Sequence, residues 1–90
     1  MFQIIKRDGK VVEFDLSKIS GAIEKAFIAQ KREYNSQIID MLALNAVSDA
    51  EKKAENGRVD VESIQDSVEA TLQRMGYEDV AKAYILYRNQ

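Results

Sequence analysis

Four cations near the N-terminus carry the strongest chemical signal in this chain. Lys6, Arg7 and Lys10 crowd the pair Asp8-Gly9, and Lys18 follows a few residues later, just inside a predicted helix. Arginine offers a planar fork of donors and lysine a mobile point charge, a mixture well suited to phosphate groups. Free backbone N–H groups at the start of the helix would add to the positive field. A lysine in the first helical turn has the wrong sign for the helix dipole, so Lys18 is mildly unfavourable there unless an anion lies close. The alternative is plain surface charge, because solvated hairpin tips are often cationic.

Composition narrows what else the chain could do. Its 90 residues include neither cysteine nor histidine, which removes thiolate nucleophiles, imidazole acid–base groups and the usual zinc ligands. A catalyst would have to work with carboxylates, lysine, tyrosine or hydroxyls alone, so binding is the better expectation. The formal net charge is −2, so bulk electrostatics oppose nucleic acid and only a local patch can attract an anion. No apolar run is long enough for a membrane span or a secretory signal. The absence of cysteine fits a reducing compartment, and a cytoplasmic location is expected.

The elements that must position the cations follow from periodicity. Apolar runs on either side of Asp8-Gly9 predict a β-hairpin with a two-residue type I′ turn. That register sets Arg7 opposite Lys10, Lys6 opposite Val11, Ile5 opposite Val12 and Ile4 opposite Glu13. One face then carries Ile5, Val12 and Phe14, and the other carries Phe2, Ile4 and Val11. Asp15 is a good N-cap for a helix over roughly 16–30, with Ile19, Ala22, Ile23, Ala26 and Phe27 at core spacing. Ser36 is expected to cap a longer helix with Ile39, Leu42, Ala43, Ala46, Val47, Ala50 and Ala54 as its stripe, widened by Met41 and Leu44. Asn56-Gly57 is expected to end that helix through positive φ values. Residues 58–61 read as a third strand or an extended lead-in. Asp60 caps a third helix bearing Ile64, Val68, Leu72 and Met75, closed by Gly76. A last helix over roughly 78–88 turns Val80, Ala81, Tyr84, Ile85 and Tyr87 toward the bundle. The sum is one α+β domain over residues 1–90: a four-helix bundle capped by a small two- to three-stranded antiparallel sheet that begins with the hairpin.

Three further groups could carry chemistry. Val12 and Phe14 could wall a pocket for a purine ring or serve the core, and one ring can do both. Tyr84 and Tyr87 are spaced like a bundle edge, while Arg88 after them could bring a guanidinium to the open end of the bundle. Glu62, Asp66 and Glu69 read as an ordinary exposed helix face. No Walker-type or dinucleotide glycine fingerprint occurs, so any nucleotide site is not of those kinds.

With these segments in place, the chain resembles the ATP-cone, a nucleotide-sensing domain at the N-terminus of many ribonucleotide reductases. Lys6-Arg7-Asp8-Gly9, Val12-Glu13-Phe14-Asp15 and Lys18-Ile19 reproduce the opening pattern of the family. Val59-Asp60-Val61, Ile64-Gln65-Asp66, Val68-Glu69 and Leu72 match its middle, and Ala81 through Arg88 match its closing A-x-x-Y-I-x-Y-R. The flavour is that of anaerobic ribonucleoside-triphosphate reductases. The resemblance implies ATP or dATP, with Mg²⁺, bound between hairpin and helices. Lys6, Arg7 and Lys18 would hold phosphates, Val12, Glu13, Phe14, Asp15 and Leu16 would surround adenine and ribose, and Val61 and Arg88 would be further nucleotide contacts. It also implies a regulatory domain, not an enzyme, in which ATP keeps a reductase active and dATP switches it off through subunit association. The implied partners are a catalytic reductase domain or subunit and a nucleotide-dependent oligomer, with no nucleic acid and no membrane. The family usually continues beyond Asn89-Gln90 with basic residues and a catalytic domain, so an excised domain is expected, with a free-standing cone as the alternative. Two rival readings are a ligand-free interaction or oligomerisation module, resting on the alanine-rich second helix and the tyrosine edge, and the cone of a reductase-gene repressor. The repressor cone sits behind a zinc ribbon, and no cysteine cluster precedes this hairpin.

Overall fold

In the computed structural model, which describes residues 1–89, the chain runs β1 (Gln3–Ile5), β2 (Val11–Glu13), α1 (Leu16–Ala29), α2 (Ser36–Glu51), β3 (Arg58–Asp60), α3 (Val61–Arg74) and α4 (Glu78–Arg88). The α+β class and the four-helix bundle under a small sheet are as expected. The sheet is mixed, not wholly antiparallel: β1 is central, antiparallel to β2 and parallel to β3. Two helices separate β2 from β3, so the direction of β3 is set by the end of the bundle from which α2 delivers the chain. Among the described residues no helix is long and apolar enough to cross a membrane.

The hairpin register differs by one residue from the expected one. Ile4 pairs with Val12 and Ile5 with Val11. The Gly9 N–H donates to the Lys6 carbonyl at 2.9 Å, and the Lys6 N–H donates to the Lys10 carbonyl at 2.8 Å. Only Gly9 in this loop has positive φ, at +86°, which makes a three-residue loop with a left-handed glycine in place of the two-residue turn. A one-residue slip exchanges faces. Phe2, Ile4, Val12 and Phe14 therefore share the side turned to the bundle, where the Phe2 and Phe14 rings lie 4.8 Å apart.

The type I′ turn occurs elsewhere. Asn56 and Gly57 take φ values of 54° and 76°, and the backbone groups of Glu55 and Arg58 exchange hydrogen bonds of 2.9 and 3.0 Å across them. This pair therefore starts β3 instead of ending α2, which has already stopped at Glu51. Asp15 and Asp60 cap α1 and α3 as expected, each accepting from a backbone N–H of the first turn. The cap of α2 is Asn35, one residue before the expected Ser36, and its side chain accepts from the Ile38 N–H.

Two apolar clusters hold these elements. The larger joins all four helices through Ile23, Phe27, Leu42, Val68, Leu72, Val80 and Tyr84, with alanines on α1, α2 and α4 allowing close approach. The smaller fixes the sheet to α2 and α3 through Phe2, Ile4, Val47, Ala50, Val59 and Ile64. Ala54 packs against this cluster from beyond the end of α2. Met41, Leu44, Met75 and Tyr87, expected to face inward, are exposed, because the bundle uses a narrower stripe of each helix than the periodicity allowed.

Candidate functional site

The corrected hairpin face, the start of α1, the start of α3 and the end of α4 enclose a cleft of about 220 Å³. Its floor and walls are largely apolar: Ile4, Val12 and Phe14 from the hairpin, Ile19 and Ala22 from α1, and Val61 and Ile64 from α3. Polar groups stand around them: Lys6, Glu13, Asp15, Lys18 and Gln65, with the two tyrosines of α4 closing one side. A second hollow of about 300 Å³ is lined by Lys6, Arg7, Asp8, Val61 and Gln65. The two share Lys6, Val61 and Gln65, so a groove runs from Phe14 to the hairpin tip. A larger hollow of about 380 Å³ lies on β3 and the turn before it, where Lys53 and Arg58 are mixed with Glu55 and Asp60. It has no apolar wall comparable to the hairpin cleft and no net positive character.

Local sequence explains most of this placement. Asp15 ends the hairpin and starts α1, accepting from the Ser17 hydroxyl at 2.6 Å and from the Ser17 N–H at 3.0 Å. Those two hydrogen bonds hold its carboxyl below the usual aspartate range, with a smaller contribution from the Lys18 charge. Asp15 is therefore ionised and committed to the helix start. Lys18 follows three residues later, on the side of α1 that faces the cleft. Among the described residues neither Lys6 nor Lys18 makes an ion pair. Tyr84 is 2% exposed, and burial pushes its phenol up to about 12, so it remains a neutral hydroxyl at the cleft wall.

Arg7 and Arg88 are placed differently. Arg7 lines the hollow at the tip, but its guanidinium is engaged by Glu62 at 2.6 Å and Gln65 at 3.2 Å. Arg88 lines neither hollow. It turns to α3 and meets Asp66 at 2.9 Å, Glu62 at 3.0 Å and Glu69 at 3.3 Å, with only 10% of its side chain exposed. The three carboxylates expected to form a plain solvated face are thus the counter-ions of a nearly buried arginine. Arg7 first and Arg88 second hold the Glu62 carboxyl below its ordinary range.

Of the residues singled out from the sequence, the fold brings Lys6, Val12, Glu13, Phe14, Asp15, Lys18 and Val61 around one cleft, with Arg7 beside it. Leu16 and Arg88 lie outside it. Sequence reading missed Ile4, Ile19, Ala22, Ile64 and Gln65 as cleft residues. Gln65 lies one helical turn after Val61 and was within reach of helical spacing, whereas Ile4 was hidden by the wrong register. Gln90, where the family continues with basic residues, lies outside the described residues.

The groove combines an apolar slot with the ammonium groups of Lys6 and Lys18 at its edge, neither in an ion pair among the described residues. The fold is a four-helix bundle under a small mixed sheet, and the family model for the ATP cone domain matches residues 2–90. The chain belongs to the ATP-cone family. It is 40% identical, over an alignment of 93 positions that covers 94% of its length, to the ribonucleoside-diphosphate reductase subunit alpha of Chlamydia trachomatis. It is 39% identical to the vitamin B12-dependent ribonucleoside-diphosphate reductase of Mycobacterium tuberculosis and 36% identical to the anaerobic ribonucleoside-triphosphate reductase of Haemophilus influenzae, each over an alignment of 90 positions that covers 98% of the chain. The anaerobic type suggested by the resemblance is thus among its relatives, beside two other reductase types. The chain spans only 9% of the first of these relatives and 12% of the other two.

Proposed function

We propose that this chain is a cytoplasmic allosteric module that binds ATP or dATP in the hairpin cleft and sets the activity of a ribonucleotide reductase through subunit association. It performs no chemistry of its own. The observation that carries this reading is the pair Lys6 and Lys18, without carboxylate partners among the described residues, on the rim of an apolar cleft. Val12 and Phe14 offer an apolar wall to adenine, and Glu13 and the Oδ2 of Asp15, which the cap bonds through Oδ1 do not use, lie at the cleft where ribose hydroxyls or an amino group can donate to them. Lys18 and Lys6 neutralise phosphates laid along the groove, and Arg7 stands at its far end. A bound triphosphate supplies the negative charge that draws these cations together. Mg²⁺ would be held mainly by phosphate oxygens and water, as this ion commonly is. Among the described residues no group of three or more acidic side chains is arranged for a metal. Leu16 and Arg88 act on the site indirectly, Leu16 at the helix start and Arg88 through Glu62.

Titration of the full chain with ATP and with dATP, in the presence of Mg²⁺, tests the reading. A ligand that binds only the folded state at a hundred times its Kd adds about 2.7 kcal/mol, which for a domain of this size raises Tm by about 10 °C or more. Sodium chloride at equal ionic strength should not reproduce the shift. No heat of binding and no change in Tm at millimolar nucleotide would leave the interaction-module reading, which the exposed Ile28 and Leu86 favour.

A further inference from the structure

Among the described residues, Arg7 is the hairpin cation that already has a partner. Lys6, Lys10 and Lys18 make no ion pair, whereas Arg7 Nε donates to Glu62 Oε1 at 2.6 Å. Its Nη2 donates to Gln65 Oε1 at 3.2 Å and to the carbonyl oxygen of Arg88, in the last turn of α4, at 3.4 Å. Carbonyls in that turn lack intrahelical partners, so Arg7 serves as a side-chain cap for α4. Glu62 is shared as well: its other oxygen, Oε2, accepts from Arg88 Nη2 at 3.0 Å.

The two bonds to Glu62 differ in how readily they can be exchanged. Arg88 has 10% of its side chain exposed and is held by Glu62, Asp66 and Glu69 together, so its guanidinium is enclosed against α3. Removing a partner from a charge so enclosed is strongly unfavourable. The Arg7–Glu62 pair is 56% and 53% exposed, and such pairs are weak and easily traded. A polyphosphate offers the guanidinium fork the same bidentate geometry as a carboxylate and carries more negative charge.

We infer that Glu62 is a built-in competitor for Arg7, displaced when a polyphosphate reaches from Lys18 past Lys6 to the hairpin tip. The inference rests on the nucleotide reading of the groove given above. On displacement, Arg7 leaves α3 and the last carbonyl of α4, while Glu62 stays with Arg88. Occupancy of the cleft is thereby passed to the C-terminal turn of α4 as the loss of a cap. A monophosphate placed at Lys18 stops short of Arg7, so the relay responds to the length of the phosphate chain.

The decisive comparison is ATP affinity of the full chain against Glu62→Gln and Asp66→Asn at about 0.15 M salt, where distant charges are screened. Asp66 also pairs with Arg88 but does not touch Arg7, so it controls for lost negative charge. Glu62→Gln should bind ATP about two- to fivefold more tightly, the range an exposed pair allows. Asp66→Asn should remain near the parent, and AMP affinity should be equal in all three. An equal gain in both variants, or none in Glu62→Gln, overturns the inference while leaving nucleotide binding intact. A second measurement needs no variant: the Arg7 Nε–H resonance and hydrogen exchange at the Asn89 amide should both change as the unmodified chain is saturated with ATP. If neither changes, the relay is refuted. If the parent binds no ATP, the nucleotide reading fails by itself, and inorganic tripolyphosphate decides the exchange through the same resonance.

Discussion

Replacing Lys18 with alanine separates binding from folding, because the two effects have opposite signs. Lys18 is the third residue of α1 and exposed, and no ion pair holds it among the described residues. Its positive charge at a helix N-terminus costs about 0.3–1 kcal/mol, which alanine would recover. Part of that gain is offset by the lost attraction to Asp15, the smallest of the influences on that carboxyl. The net change is a gain between zero and about 1 kcal/mol, or an increase in Tm of up to about 6 °C for a domain of this size. Binding moves the other way. Loss of one charge-assisted hydrogen bond to phosphate costs about 1.5–3 kcal/mol, which weakens ATP about ten- to a hundredfold. Calorimetric titration and a thermal melt on the same preparation measure both quantities. An ATP affinity within twofold of the parent would remove Lys18 from the site. A drop in Tm of more than about 5 °C would show that the lysine supports the fold, contrary to the dipole reasoning.

Phe14→Ala should affect both properties at once, since its half-buried ring packs on Phe2 at 4.8 Å and also walls the cleft. A loss of about 2–3 kcal/mol by denaturant titration is expected, with weaker nucleotide binding; an unchanged midpoint would show that the ring contributes nothing to the core. Gly57→Ala tests backbone conformation alone, because an added Cβ would meet nothing within 4 Å while φ is +76°. It should cost about 1 kcal/mol or slightly more, and a neutral result would contradict the left-handed turn. For Tyr84, the folded phenol ionises only near 12 and the unfolded one at 10.0, so the folded state retains the proton between those values. No stability is lost below pH 10; across the window to pH 12 the fold loses about 2–3 kcal/mol from this group. Tyr84→Phe should show a shallower alkaline decline, and an identical pH profile would mean that the hydroxyl is not shielded.

The helices, their caps at Asp15 and Asp60 and the clustering of Lys6 and Lys18 around Val12 and Phe14 were legible in the chain itself. Capping and helical periodicity act over a few neighbouring residues, where the local sequence is enough to decide them. The hairpin register was not legible, because a two-residue and a three-residue loop around Asp8-Gly9 differ only in whether Asp8 also adopts positive φ. That single torsional choice put Ile4, in place of Ile5, on one face with Val12 and Phe14 and so determined which isoleucine lines the cleft. Asn56-Gly57 shows the same limit: a pair with positive φ can end a helix or turn into a strand, and only the parallel docking of β3 on β1 distinguishes them. Tertiary packing alone decided the partners of the arginines. Arg7 and Arg88 lie far from Glu62 along the chain, and Coulomb attraction depends on separation in space. The end of α4 had to be laid against α3 before an apparently plain acidic face could become the counter-charge that engages one arginine and shares the other.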